Sequence, residues 1–144
     1  MHHVAILSKN LDFLPKIISG EKTIESRWYK AKYVPWDKIR TGDIIYFKNS
    51  GDLVTVRAQV TRTLQFQQLS QNKISRIAKR YYKEIGFSSA GALEQHAQGK
   101  EICILIFLEK PVHLAKPFAI NKKGYGSASA WLCVQNIKSI AIHL

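Results

Sequence analysis

Cysteine and long apolar runs are both scarce in this sequence. The two cysteines, Cys103 and Cys133, stand in apolar, strand-like runs without CxxC or Cys/His spacing. We therefore expect reduced core residues of a cytoplasmic protein. Three scattered histidines, His96, His113 and His143, suggest no metal site either, and no cofactor is implied. No apolar run approaches the roughly 18 residues of a membrane-spanning helix, and no secretory leader is visible at the N-terminus.

Acidic side chains are also few, which leaves the chain strongly basic. Asp and Glu number 10 against 22 Lys and Arg, for a net charge of +12. Such a surface concentrates polyanions and speeds their encounter. For a cytoplasmic domain this favours RNA or DNA as the partner, although the same charge also fits a protein that needs it only for solubility.

Length and pattern indicate one α+β domain spanning residues 1–144. Hydrophobic residues make up 46 % of the chain, which argues against disorder. The spacing of hydrophobic residues changes along the chain between a period of two, typical of strands, and 3.6, typical of helices. It predicts strands over 2–8, 22–27, 44–48, 53–63, 101–109 and 132–142. It predicts helices over about 12–19, 67–85 and 90–98. Pro111 is expected to break the strand at 101–109, with an extended run resuming over 112–120.

The segment from Gly20 to Tyr29, GEKTIESRWY, is the most unusual part of the chain. Gly20 stands where a helix C-cap belongs. In the strand that follows, only Ile24 is aliphatic, so the strand lies either at a solvated edge or along a ligand-binding cleft, which we favour. Glu25 and Arg27 share one strand face, near enough to pair and to hold the guanidinium for an anion.

Lys22 belongs to the opposite face of that strand if the strand is regular. A cleft shared with Glu25 therefore requires a twist, a bulge or an end position. If the protein is an enzyme, Lys22 and Glu25 are the expected catalytic residues, with Ser129 as a further candidate partner.

Two further segments have the composition of a surface that binds nucleic acid. Residues 28–40 mix cations with aromatics, and Trp28, Tyr29 and Trp36 either stack on bases or cover the end of a barrel. The glycine-containing, basic loop 121–131 suits a phosphate or a carboxylate. Its expected ligand-binding residues are Lys123, Gly124, Tyr125 and Ser129, whereas Trp131 is expected to close the barrel.

One predicted helix carries a stripe of cations opposite its apolar side. Lys73, Arg76, Arg80 and Lys83 recur at spacings of three, four and three. The stripe is either an ordinary solvated face or a secondary surface for a polyanion.

The Gly20–Arg27 pattern, followed by Thr41-Gly42-Asp43 opening a strand, resembles the ASCH domain of the PUA-like superfamily. The resemblance implies a small mixed β-barrel of five to six strands with flanking helices, and a cleft beside Lys22, Glu25 and Arg27. It also implies binding of RNA, other nucleic acid or nucleotides, with ribonuclease or acetylcytidine amidohydrolase activity in some members.

The amidohydrolase branch fits this chain poorly. The resemblance implies that those enzymes use a Lys-Thr-Glu site, in which the threonine lies three residues after the lysine. At that position this chain has Glu25. Their glutamate corresponds to a region where this chain has Gln68 and Gln71, and glutamine cannot act as a general base. Binding of RNA or nucleotides is therefore the expectation. The alternatives are a hydrolase on RNA or a modified nucleoside, and a module that binds an acidic protein.

Overall fold

The computed structural model describes residues 1–142, which form a curled mixed sheet with three α-helices. The strands are β1 (His2–Leu7), β2 (Ile24–Tyr29), β3 (Ile44–Asn49), β4 (Val54–Phe66), β5 (Ile102–Ile120), β6 (Trp131–Val134) and β7 (Ala141–Ile142). The helices are α1 (Phe13–Ser19), α2 (Gln71–Ile85) and α3 (Ala90–Ala97), and 3-10 turns span Lys9–Leu11 and Ile137–Ser139. Within this part of the chain, no helix has the length and apolar character needed to cross a bilayer.

The sheet curls into a half-barrel that is open along one seam. Its strands are hydrogen-bonded in the order β2-β5-β4-β3-β1-β6, and β7 pairs with the C-terminal end of β5. β1 and β3 are parallel, whereas the neighbouring pairs are antiparallel. β2 and β6 end this order and therefore flank the seam. The predicted α+β class, a mixed barrel with flanking helices, is confirmed.

The prediction that Pro111 breaks a strand is wrong. β5 runs continuously from Ile102 to Ile120. Its register against β4 shifts at this point, because Glu109 pairs with Gln59 and Val112 already pairs with Arg57. Proline lacks the N–H that a regular ladder needs. The bulge leaves Pro111 outside the pairing, and the strand passes through it.

The prediction of one closing strand over 132–142 is also wrong. β6 ends at Val134, a 3-10 turn follows, and β7 begins only at Ala141. The Asn136 side chain accepts a hydrogen bond from the Lys138 amide at 2.9 Å, which starts that turn. The turn lets the chain leave β1, the partner of β6, and pair instead with β5.

Two apolar cores lie on the two faces of β5. Ile104 and Ile106 pack inside the half-barrel with Phe13 of α1. Cys103 and Leu105 point the other way and pack with residues of β2, α2 and α3. Burial on both faces explains why this part of β5 is almost uniformly apolar.

Gly86 ends α2 in a conformation that other residues adopt only with strain. Its φ is 105°, and an added Cβ would lie 3.1 Å from Phe13 Cε1 and 3.5 Å from Lys22 Cδ. We expect Gly86→Ala to lower the free energy of unfolding by about 1–2 kcal/mol or more, as measured by urea denaturation. The matched control is Gly91→Ala in α3, where the nearest atom is Ser89 Oγ at 3.9 Å. The control should be neutral or stabilising by about 0.4–1 kcal/mol, and equal losses in both variants would contradict this account.

Candidate functional site

The chain bends between α1 and β2, and this bend determines where Lys22 lies. Gly20 ends α1 in the left-handed region with φ of 82°. The Lys22 amide donates to the Lys16 carbonyl at 2.9 Å, and the Thr23 amide donates to the Glu84 carbonyl at 2.8 Å. These bonds delay the strand, so β2 begins at Ile24 instead of residue 22. Lys22 therefore occupies an end position and reaches Glu25.

The Lys22 side chain is completely buried. Its Nζ donates to the carbonyl of Ile24 at 2.6 Å and to that of Ile85, at the end of α2, at 2.7 Å. It lies 3.1 Å from Glu25 Oε1 and 4.2 Å from the centre of the Phe13 ring. Burial lowers the pKa of Lys22, although the charge of Glu25 opposes this shift. Lys22 thus ties β2 to α2 beneath Glu25.

Glu25 lies between two cations in the floor of the seam. Its Oε2 accepts from Arg27 Nε at 2.9 Å and from Arg27 Nη2 at 2.7 Å. Its Oε1 is close to Lys22 Nζ but accepts no hydrogen bond. Burial by itself raises the pKa of Glu25, yet the charges of Lys22 and Arg27 outweigh burial and hold that pKa below its ordinary value. The predicted Glu25–Arg27 pair is present.

Arg27 crosses the seam from β2 to the opposite edge of the sheet. Its Nη2 donates to the Ile6 carbonyl at 3.2 Å, and its Nη1 donates to the Ala130 carbonyl at 3.3 Å. The guanidinium lies 5.1 Å from the ring centre of Trp131. Burial disfavours its charge, but Glu25 more than offsets this, so the pKa of Arg27 rises. Arg27 thereby bridges two edges that no strand pairing joins within the described residues.

A cleft of about 700 Å³ opens along the seam beside Arg27, and we call it the seam cleft. Three cations, Lys9, Arg27 and Lys122, and one carboxylate, Glu25, lie in its lining. The aromatic lining consists of Phe13, Trp28, Tyr29 and Phe87, and hydroxyls come from Ser8, Ser26, Ser50, Ser127 and Ser129. The lining therefore carries an excess of positive charge and combines polar groups with a larger share of apolar surface.

The structure brings some of the predicted site residues together and separates others. The predicted residues that line the seam cleft are Glu25, Arg27, Trp28, Tyr29 and Ser129, whereas Lys22 lies beneath it. Trp36, Lys123, Gly124 and Tyr125 are outside the lining.

The aromatic residues differ in how much surface they offer. Trp28 is buried against α2 and α3, and its Nε1 donates to Ser26 Oγ at 3.0 Å. Trp36 packs against the inner core and beneath Lys32. Tyr33, by contrast, is 63 % exposed and lies edge-on to Tyr29, with 5.8 Å between ring centres. Tyr33 therefore offers the most accessible aromatic surface beside the cleft.

Sequence reasoning missed three residues that line the cleft: Lys9, His96 and Lys122. His96 is on α3, where nothing in the local sequence shows that this helix approaches the seam. Its ring lies 5.3 Å from that of Phe87, and partial burial lowers its pKa. From the sequence, Lys9 counted only toward the net charge, and Lys122 only as a member of the loop 121–131. Lys122 Nζ donates to the carbonyls of Ser127 and Ser129, at 2.8 and 2.7 Å.

Metal-ligating side chains are not clustered in the described part of the chain. No group of three or more His, Cys, Asp or Glu residues within 1–142 is arranged to hold an ion. His143 lies outside the described residues. Cys103 and Cys133 are both free thiols.

Solved structures with the same fold are known, although no model of a protein family and no curated protein sequence matches the chain. The crystal structure of ASCH from Zymomonas mobilis is similar over 99 % of this chain and 96 % of that one, with a TM-score of 0.63 and 18 % identity. A serine-to-alanine variant of that protein is similar over 96 % and 91 %, with a TM-score of 0.64 and 18 % identity. The chain therefore has the ASCH fold, and the predicted resemblance is confirmed at that level.

Proposed function

We propose that the protein binds single-stranded nucleic acid in the seam cleft, with RNA as the favoured ligand. The observation that carries this proposal is the lining of the cleft, where three cations stand beside aromatic rings. Phosphates are attracted to the cations, and bases stack on aromatic faces whatever their identity. The net charge of +12 over the whole chain favours the same partner.

The residues of the seam divide into those that contact the ligand and those that position others. Lys9 and Lys122 are suited to phosphate, because the ion pair of Lys9 with Asp52, at 3.0 Å, is exposed and leaves the lysine accessible to a ligand. Tyr29 and Tyr33 offer the stacking surface. Glu25 holds the Arg27 guanidinium in one orientation by two hydrogen bonds, so that its charge faces the cleft in a fixed place. Lys22 does not reach the ligand and instead helps to position Glu25.

The test is fluorescence anisotropy with a labelled single-stranded RNA of about eight nucleotides, within the range that comparable sites cover. We expect Tyr33→Ala to weaken binding about tenfold, since stacking on an aromatic contributes about 1–3 kcal/mol per base. Lys9→Gln should lower the slope of log affinity against log salt by about 0.7, because one phosphate contact is lost.

The matched control is Lys116→Gln, an exposed lysine of β5 outside the cleft. It should change affinity by less than about twofold, because salt screens distant exposed charges. If Tyr33→Ala and Lys9→Gln both behave like this control, the seam cleft is not the binding site. A DNA oligonucleotide of the same sequence separates RNA preference from general binding of single strands.

Hydrolysis in the same cleft is the second candidate, and His96 is the observation that favours it. A lowered pKa leaves this imidazole neutral at neutral pH, as a general base must be. Lys22 is poorly placed as a nucleophile, because its Nζ is buried among two carbonyls and Glu25. The test follows the labelled RNA over time. Cleavage that His96→Gln abolishes would establish a hydrolase, whereas RNA that stays intact would show that the protein only binds it.

A further inference from the structure

A second groove lies on the outer side of the half-barrel, between the end of β4 and α2. It has a volume of about 560 Å³ and shares no lining residue with the seam cleft. We call it the outer groove, and its lining consists of Gln65, Phe66, Gln67, Lys73, Arg76, Ile77, Arg80 and Tyr81.

The outer groove is positively charged, and its cations have no carboxylate partner in the described part of the chain. Lys73, Arg76 and Arg80 are exposed, and none forms an ion pair within residues 1–142. One carboxylate, that of Asp37, approaches the groove, where its Oδ1 accepts from Gln65 Nε2 at 2.8 Å. Glu84 lies one turn beyond Arg80 without pairing with it. Three of the four cations of the stripe predicted from the sequence therefore line a concave groove, whereas Lys83 lies outside its lining.

Aromatic rings and guanidinium groups alternate in a row whose Arg80 and Tyr81 line the groove, whereas Arg62 and Phe107 lie outside the lining. Arg62 lies 5.2 Å from the ring centre of Phe107, and that ring lies 6.0 Å from that of Tyr81. Arg80 in turn lies 5.3 Å from the ring centre of Tyr81. Guanidinium groups lying against aromatic faces are held in place while their N–H groups stay available to an anion.

We propose that the outer groove is a second nucleic-acid site, which binds the phosphodiester backbone of the ligand whose other segment occupies the seam cleft. This inference rests on the proposed nucleic-acid function. Arginine forks bind phosphate oxygens in pairs, and the half-buried rings of Phe66 and Tyr81 suit a base beside them. A concave groove with inset aromatic rings does not match a flat membrane surface. Binding at two sites on one strand raises the affinity for long ligands above that of either site.

The test compares a long single-stranded RNA of about 30 nucleotides with the short one of about eight, using the intact protein. The variant is Arg76→Gln/Arg80→Gln, and the matched control is Lys79→Gln, an exposed lysine of α2 outside the groove. For the long RNA, the double variant should bind about tenfold or more weakly, and its salt slope should fall by about 1.4, two phosphates at 0.7 each. The control should stay within about twofold of the wild type. Because all these side chains are exposed, urea denaturation should show unchanged stability.

The possible outcomes distinguish this inference from the proposed function. If the cleft variants weaken binding of the long RNA and the double variant equals Lys79→Gln, the outer groove is not a site and the seam cleft stands. If the double variant weakens binding and the cleft variants do not, the groove binds nucleic acid by itself, and both the seam cleft and the two-site arrangement are overturned. If no nucleic acid binds, both are overturned. Polyglutamate that displaces RNA equally well per charge would overturn nucleic acid as the occupant of the groove.

Discussion

Replacing Glu25 by glutamine should lower the free energy of unfolding by about 3–5 kcal/mol, which is the cost of removing one partner from a buried ion pair. The Glu25 carboxylate is 2 % exposed and lies between Lys22 and Arg27. Without its charge, the fully buried Lys22 ammonium keeps only two carbonyl acceptors. The Arg27 fork also loses the anion that orients it. Urea denaturation followed by circular dichroism measures the loss.

Glu21→Gln is the matched control, because Glu21 is exposed and lies four residues earlier in the same segment. A surface change of this kind should stay within about 0.5 kcal/mol. Equal losses of unfolding free energy from the two substitutions would contradict a stabilising role for the buried charges of Lys22, Glu25 and Arg27.

The pH dependence of stability is a second readout of the same variant. The pKa of Glu25 is lower in the folded protein than its ordinary value of 4.5. Its ionisation therefore contributes stability that is fully present above about pH 4.5 and is lost as the pH falls through the folded pKa. The wild type should lose stability in acid more steeply than Glu25→Gln. An identical acid limb in both proteins would show that another group governs it.

Lys22→Ala should also lower the free energy of unfolding by about 3–5 kcal/mol. The substitution leaves the carbonyls of Ile24 and Ile85 without their donor, removes one counter-charge of Glu25 and empties the space beneath Phe13. Lys22→Met should lose less, because its unbranched apolar side chain fills most of that space. Thermal and urea denaturation of both variants measure the difference.

The matched control for Lys22 is Lys16→Ala. Lys16 Nζ makes a single hydrogen bond, to the Gly86 carbonyl at 3.0 Å, and the side chain is only partly buried. Its loss should cost about 1 kcal/mol. A Lys22→Ala protein as stable as Lys16→Ala would mean that Lys22 contributes no more than an ordinary surface lysine.

The local hydrophobic pattern predicted much of the fold, because its period indicates which side of each strand or helix is buried. The strands β3 and β4 and the pairing of Glu25 with Arg27 follow from a period of two, and the first half of β5 follows from an unbroken apolar run. Pro111 was misjudged because its tolerance depends on the register of β4, which no local pattern contains. The sequence left the position of Lys22 open among a twist, a bulge and an end position for a similar reason, since bonds to Lys16 and Glu84 delay the start of β2.

The sequence by itself determined the α+β class, the basic character and the charged segment that ends α1 and opens β2. These properties depend on composition and on neighbours within a few residues. Only the tertiary structure decided that β2 and β6 flank an open seam, that α3 brings His96 to it, and that three cations of α2 line a groove. Each of these juxtapositions joins residues far apart in the chain. The physical reason is that packing of the whole sheet, which buries the apolar faces of β5, fixes their positions.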